Sequence, residues 1–403
     1  MEFDVLILGS DINAYYMSRC LHEAYGKKAY MIGLIPMNFT SYSNIIDITF
    51  DKDLQKPERF REILKEFALK HPGRELLLIG SNDTYARLII ENQEFLAKYY
   101  IFHRYSEGLL NKFLVKEQFY ANFPELDKPE TVIYDVKTEL DVAEVEKFGY
   151  PMILKPSDGI LYHAHEFATQ HKVYKIKNRE ELLKVVSQIK ESGYDENLII
   201  QKFIKGDDSY LFDCVTYVDS NGKCKLISFA QIALQEHTPT GIGNATVVVN
   251  GYNQFGKTEE TVQKLQSFIE STGYRGFCEF DIKYDQDDQK FKVLEINPRQ
   301  ARCSYYLCFG GYNLVQYLVE DLLEHKDLPY HFLNEELALS FVPLRVIKDF
   351  VENEDLKNKV LDLYAAGKFI NPLKYKKDNS LKRSMWLTVR DFNYYKKYKN
   401  NQW

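Results

Sequence analysis

One stretch constrains this chain more than any other: residues 275–302, RGFCEFDIKYDQDDQKFKVLEINPRQAR. It reads as two β-strands, 277–284 and 291–296, joined by an Asp-rich turn at 285–289, with Pro298 ending the pairing. Side chains alternate faces along a strand. Glu279 and Asp281 therefore share one face of the first strand, opposite Phe280 and Ile282. In the second strand Val293 and Glu295 share a face, with Asn297 just beyond. Antiparallel pairing then brings Asp281, Glu295 and Asn297 together at the strand ends.

Two carboxylates and an amide oxygen, with Arg299 beside them, suit the holding of one or two Mg²⁺ ions against phosphate oxygens. Mg²⁺ is hard, prefers oxygen, and takes few ligands from protein and the rest from water and nucleotide. A hairpin with solvated acids is the competing reading, and it accounts for Asp285, Asp287 and Asp288. It accounts poorly for Glu295, which lies in the apolar run VLEI, because a buried carboxylate needs a partner.

The stretch resembles the metal-binding hairpin of the ATP-grasp superfamily of carboxylate–amine (or carboxylate–thiol) ligases. The resemblance implies Asp281, Glu295 and Asn297 as ligands of Mg²⁺ between ATP phosphates, and Arg299 on the phosphate or acyl phosphate. It also implies an ATP-grasp fold of mixed α/β and α+β character. Its parts are an N-terminal open parallel α/β sheet domain (1–106) and an ATP-grasp domain (107–325). The latter holds a small lid subdomain (about 130–205) and a mixed-sheet metal-binding subdomain. Residues 326–403 read as an appended α+β segment.

A chain of 403 residues is long enough for two or three domains. With 52 basic and 58 acidic residues it carries −6, which gives no case for nucleic-acid binding. Six cysteines show no C-x-x-C pair and no zinc spacing, so thiols in a reducing cytosol are the simpler reading. No run approaches the roughly 20 apolar residues of a membrane span, and MEFDVLILGS lacks the features of a signal peptide. A soluble, cytoplasmic protein is expected, and a homodimer is compatible with the sequence.

The first hundred residues alternate apolar strands (3–8, 28–33, 45–50, 75–79) with helices (12–25, 58–70), the signature of an open parallel sheet. Ser10, Asp11, Asn82 and Asp83 follow strands at the ligand-favoured edge, though each also serves as a turn former. Residues 107–122 read as one amphipathic helix bearing Lys112 and Lys116 on one face. Asn111-Lys112 partly matches the family's D-K pair, so Lys112 is the nucleotide-phosphate candidate. GYPMILKPSDG places Lys155 at the end of a buried strand, aimed at an anion as a point charge, and the family's h-h-x-K-P segment reads the same way. The following lid has one glycine, Gly159, where the family is glycine-rich. His163 and His165 alternate on one face of a strand there, as phosphate donors or plain lid residues. By the resemblance, LIIQKFIKGDD is the adenine hinge: Gln201, backbone groups of Lys202, Phe203 and Ile204, and Asp208 for the ribose. The loop Thr240-Gly241-Ile242-Gly243-Asn244 offers N–H groups to anionic substrate or phosphate, or stands as a mobile loop. Arg299 or Arg302 can clamp a substrate carboxylate. The end, YYKKYKNNQW, is basic and aromatic, a solvated tail or one drawn to a membrane surface.

One branch of the superfamily, the D-aspartate ligases of Gram-positive cell-wall synthesis, is similar in LGSDINAYYMSRCLHEAYGKK, HTPTGIGN and LEINPRQARCSYY. That likeness implies activation of the β-carboxylate of D-aspartate by ATP. Attack by the lysine amine of a UDP-linked muramyl pentapeptide follows. The alternatives are another ATP-grasp ligase with a different acid and amine, or a nucleotide-binding regulator with a decayed site.

Overall fold

The computed structural model describes residues 2–238 and 241–401. Thr240 of the glycine-containing loop and the last two residues of the basic tail, Gln402 and Trp403, lie outside the described residues.

Apolar runs buried on both faces build the middle of the first sheet. Phe3–Leu8 pairs in parallel with Ala29–Gly33 on one side and Glu75–Gly80 on the other, and Ile46–Phe50 completes four strands. The turn after the first strand is tight: Gly9 sits at φ 118°, where a Cβ would lie 2.0 Å from the Ser81 hydroxyl. Asp11 then caps the helix Ile12–Tyr25, accepting from the N–H groups of Asn13 and Ala14 (both 3.0 Å), and Asn82 caps Asp83–Glu91 through the Tyr85 N–H (3.2 Å). Ser10 donates to the Ile35 carbonyl (2.8 Å). Turn and cap formation thus engages three of the four polar residues at this edge, and Asp83 points elsewhere.

The lid is a four-stranded antiparallel sheet, ordered Thr131–Tyr134, Leu198–Lys202, Met152–Pro156, Tyr174–Ile176, covered by the helix Arg179–Glu191. The stretch carrying His163 is helical rather than extended. Asp158 caps Gly159–Tyr162 by accepting from Ile160 (2.8 Å) and Leu161 (3.1 Å), which turns the chain before an H-x-H strand can form.

An eight-stranded sheet carries the hairpin. Its order runs Lys290–Asn297, Gly276–Asp285, Leu211–Val218, Cys224–Gln235, Ala245–Asn250, Leu337–Ser340, Phe369–Ile370, with His331–Leu333 pairing beside Cys224–Gln235. Three of these strands come from residues read as an appendage. The segment after 325 is therefore part of the central sheet, because Ala245–Asn250 is apolar and buried and needs a neighbour on its outer edge. The final helix, Leu381–Asn400, packs back on this sheet through Tyr398, which donates to the Gln235 carbonyl (2.8 Å).

Candidate active site

The hairpin places its acids with one departure from strict alternation. Asp281 pairs with Glu295 and Glu279 with Asn297, but Ile282 pairs with Val293, leaving Leu294 as a bulge. The extra residue moves Val293 off the face of Glu295. Val293 joins Phe280, Ile282 and Ile296 in the core, while Glu295 turns to a cleft of about 220 Å³ between the lid and the central sheet. The displaced Leu294 carbonyl accepts a hydrogen bond from the Tyr120 hydroxyl.

Three lysines face the two acids. Lys116 reaches Glu295 (3.2 Å). Lys155 is buried and donates to the Tyr120 oxygen (3.1 Å), and Lys172 lines the same cleft. Their charges are unequal in consequence. Burial pushes the Lys155 ammonium down to about 7, whereas Glu295 holds the pKa of Lys116 up against its burial. Against the upward pull of burial, Lys116, Lys172 and Lys155 keep Glu295 well below the usual carboxylate range. Asp281 is raised well above it, by burial and then by Glu279 and Glu295.

This donor set fits a hard divalent ion. Asp281 and Glu295 offer carboxylate oxygens, and Asn297 donates its amide nitrogen to Asp281 (3.1 Å), leaving its carbonyl oxygen for a metal. Mg²⁺ held there would neutralise phosphate oxygens.

Other expected residues reach the cleft too. His163 lines it from the lid, and Gln201, Lys202, Phe203 and Ile204 line it from the hinge. Gln201 is fixed by Thr131 (2.7 Å), and the Lys202 ammonium turns out to Glu130 (3.4 Å). Among the described residues no protein group pairs with the N–H of Phe203 or Ile204, so hinge backbone is open to a ligand edge.

Several expected residues lie elsewhere. The helix expected over 107–122 is two, Glu107–Leu114 and Lys116–Ala121, broken at Val115, whose extended backbone (φ −87°, ψ 110°) re-aims the next residue. Lys112 is thereby left exposed on the outer helix, and Lys116, passed over in the sequence, enters the cleft. Asp208 lines a neighbouring cavity, its carboxylate taken by the Gln235 N–H (2.8 Å) and side-chain amide (2.6 Å). His165 turns away to the Ser192 carbonyl (3.2 Å). Gly243 borders the cleft, but its N–H donates to Gln235 Oε1 (2.9 Å), and the N–H groups of Gly241, Ile242 and Asn244 close turns within the loop, so none is free for an anion. The Asn244 side chain donates to the Gly241 carbonyl (2.8 Å).

Arg299 is committed to two acids: Nε donates to Asp83 (2.8 Å) and Nη1 to Glu279, tying the N-terminal sheet to the hairpin. Arg302 is less satisfied. One nitrogen stands 3.9 Å from Glu236, and its buried Nε has no partner among the described residues. A further buried acid, Asp213, sits opposite Asp281 on the next strand and accepts from the Cys303 thiol. Burial raises Asp213 to about 7. Of the groups the sequence reading missed, Asp213 alone carried a signal, an Asp inside the apolar strand LFDCVTYV. Lys172 and Tyr120 carried none.

Residues 116–319 match the family described as carbamoyl-phosphate synthase L chain, ATP binding domain. Among solved structures, N5-carboxyaminoimidazole synthetase from Staphylococcus aureus complexed with ADP superposes with a TM-score of 0.63 at 13% identity, covering 89% of this chain and 88% of that one. L-amino acid ligase from Bacillus licheniformis gives 0.58 at 14% identity, covering 80% and 74%. The chain belongs to the ATP-grasp family and is an ATP-dependent carboxylate–amine ligase. Within that family it is similar from end to end to D-aspartate ligase of Enterococcus faecium (strain Aus0004). The two are 31% identical over 412 aligned residues, 99% of this chain and 96% of the relative.

Proposed function

We propose that the chain is a D-aspartate ligase. It joins the β-carboxylate of D-aspartate to the lysine amine of a UDP-linked muramyl pentapeptide, with ADP and phosphate as products. One observation carries the reading: the likeness to the Enterococcus enzyme runs through the whole chain. By contrast, the carbamoyl phosphate synthase section from Methanopyrus kandleri aligns over 47% of it, at 23% identity. In sequence, a relative that shares the ATP-binding domain leaves the N-terminal sheet and the C-terminal segment unmatched.

The residues divide the work in two steps. Lys155, Lys116 and Lys172 neutralise phosphate oxygens as the terminal phosphoryl group passes to the carboxylate, a transfer that needs mainly positioning and charge. Asp281, Glu295 and Asn297 would hold Mg²⁺, which supplies Lewis-acid neutralisation when bound. Backbone groups at Phe203 and Ile204 meet the adenine edge. The amine then attacks the acyl phosphate, the C–N bond forms and phosphate leaves, with His163 and the lid covering the intermediate from water. Arg302, whose guanidinium is held only loosely by Glu236 among the described residues, is assigned to the substrate's second carboxylate.

The test is phosphate release from Mg·ATP across D- and L-amino acids, with and without UDP-muramyl pentapeptide. Release that needs D-aspartate and the pentapeptide together, with a product heavier by one aspartyl residue, is the expected result. Release with a different acid and amine would keep the family and refute this substrate pair.

A further inference from the structure

The last helix, Leu381–Asn400, presents a face that none of the described residues covers. Leu381 (80% exposed), Met385 (62%), Val389 (58%) and Phe392 (63%) recur at intervals of four, four and three. They form one stripe about 16 Å long at 1.5 Å per residue. The same face continues into Lys396 and Lys399, both exposed. The opposite face is fixed to the body. Arg383 donates to the Phe39 carbonyl (2.8 Å), Arg390 to Phe341 (2.7 Å), and Tyr398 reaches the Gln235 carbonyl. The stripe is thus the outer side of an anchored helix.

Its charge identifies the partner. The helix has six basic residues and one acid, in a chain of net charge −6. Lys382 flanks the apolar stripe, and Lys376 and Lys377 lie exposed just before the helix. The one acid, Asp391, is held by Lys374 (3.1 Å) off that face. A second copy docked on the same stripe would set lysine against lysine in either direction, with no carboxylate between them. An apolar stripe rimmed by lysines that pair with no acid among the described residues instead matches acyl chains beneath anionic headgroups.

We propose that this helix docks the protein on an anionic membrane surface, with Leu381, Met385, Val389 and Phe392 entering the headgroup boundary and Lys382, Lys396 and Lys399 meeting lipid phosphates. Docking is independent of which acid the enzyme ligates.

The test is co-sedimentation of the full chain with vesicles of phosphatidylcholine alone or mixed with phosphatidylglycerol, at low and high salt. Wild type is expected on the anionic vesicles at low salt and released by high salt. The pairs M385S/F392S and K396E/K399E are each expected to lower partitioning at least about tenfold. ATP-dependent turnover, which uses none of these residues, stays unchanged and reports an intact fold. Equal partitioning of wild type and both pairs would overturn the proposal. So would a wild type that binds polyglutamate but no vesicle, or a concentration-dependent dimer abolished by M385S/F392S in a protein that ignores vesicles.

Discussion

Lys155 sets the chemistry of the cleft at the scale of one side chain. Burial first, then the charges of Lys116 and Lys172, hold its pKa at about 7 against an ordinary 10.5, so at pH 8 most of it is neutral in the unligated protein. ATP phosphates restore the charge, and nucleotide binding therefore takes up a proton between about pH 7 and 10. Calorimetry of ATP binding at pH 8, in buffers of different ionisation enthalpy, is expected to show that uptake in wild type and not in Lys155→Arg, whose guanidinium stays charged. An equal uptake in both would remove Lys155 from the phosphate site. The same depression makes this lysine's contribution to folding more favourable as pH rises from about 7 towards 10.5, because the unfolded chain binds the extra proton in that window. Glu295→Ala removes a metal donor and unpairs Lys116, so turnover falls by at least about a hundredfold. The circular dichroism of the variant stays native. Near-normal turnover would show the metal ligands lie elsewhere.

Elements decide which of these residues meet. The break at Val115 separates two lysines that an unbroken helix would place side by side, and it yields a direct comparison. Lys112→Met leaves turnover within about twofold, whereas Lys116→Met lowers it by at least about tenfold, because it strips Glu295 of its nearest cation. Steady-state rates at saturating ATP check this; equal losses would mean the two helices act as one. The break also shows where sequence reasoning ends. The apolar run 3–8, the helical spacing of 12–25 and the alternation of 277–284 marked the strands and helices that position the site, and Asp281 with E-I-N-P-R marked the acids. A single extended residue inside an amphipathic run has no periodic trace, and neither does the bulge at Leu294 that parts Val293 from Glu295. Both are settled by tertiary partners, Ser157 for the Lys116 N–H (3.0 Å) and Tyr120 for the Leu294 carbonyl. Asp208 was misplaced for the same reason, since its capture by Gln235 depends on a strand 27 residues away.

Across the whole molecule, the C-terminal segment fastens the first sheet to the last. Asp378, fully buried, accepts from Tyr15 (2.9 Å), Ser43 (2.8 Å) and the Asn44 N–H (2.6 Å), beside Arg383 (3.4 Å). Asp378→Ala leaves Arg383 as an uncompensated buried charge and is expected to cost about 3–5 kcal/mol in urea unfolding. A loss under about 1 kcal/mol would mean the segment is loosely held. The same connectivity has a consequence for synthesis. Ala245–Asn250, with its ATVVVN sequence, receives its outer neighbour only from Leu337–Ser340. A ribosome making roughly 5–20 residues per second leaves that edge bare for several seconds. Until then the nascent chain carries a β-branched strand with one bare edge, ready to pair with another copy. Slow translation between the two strands, or an absent chaperone, would turn a stable enzyme into an aggregating one before it is finished.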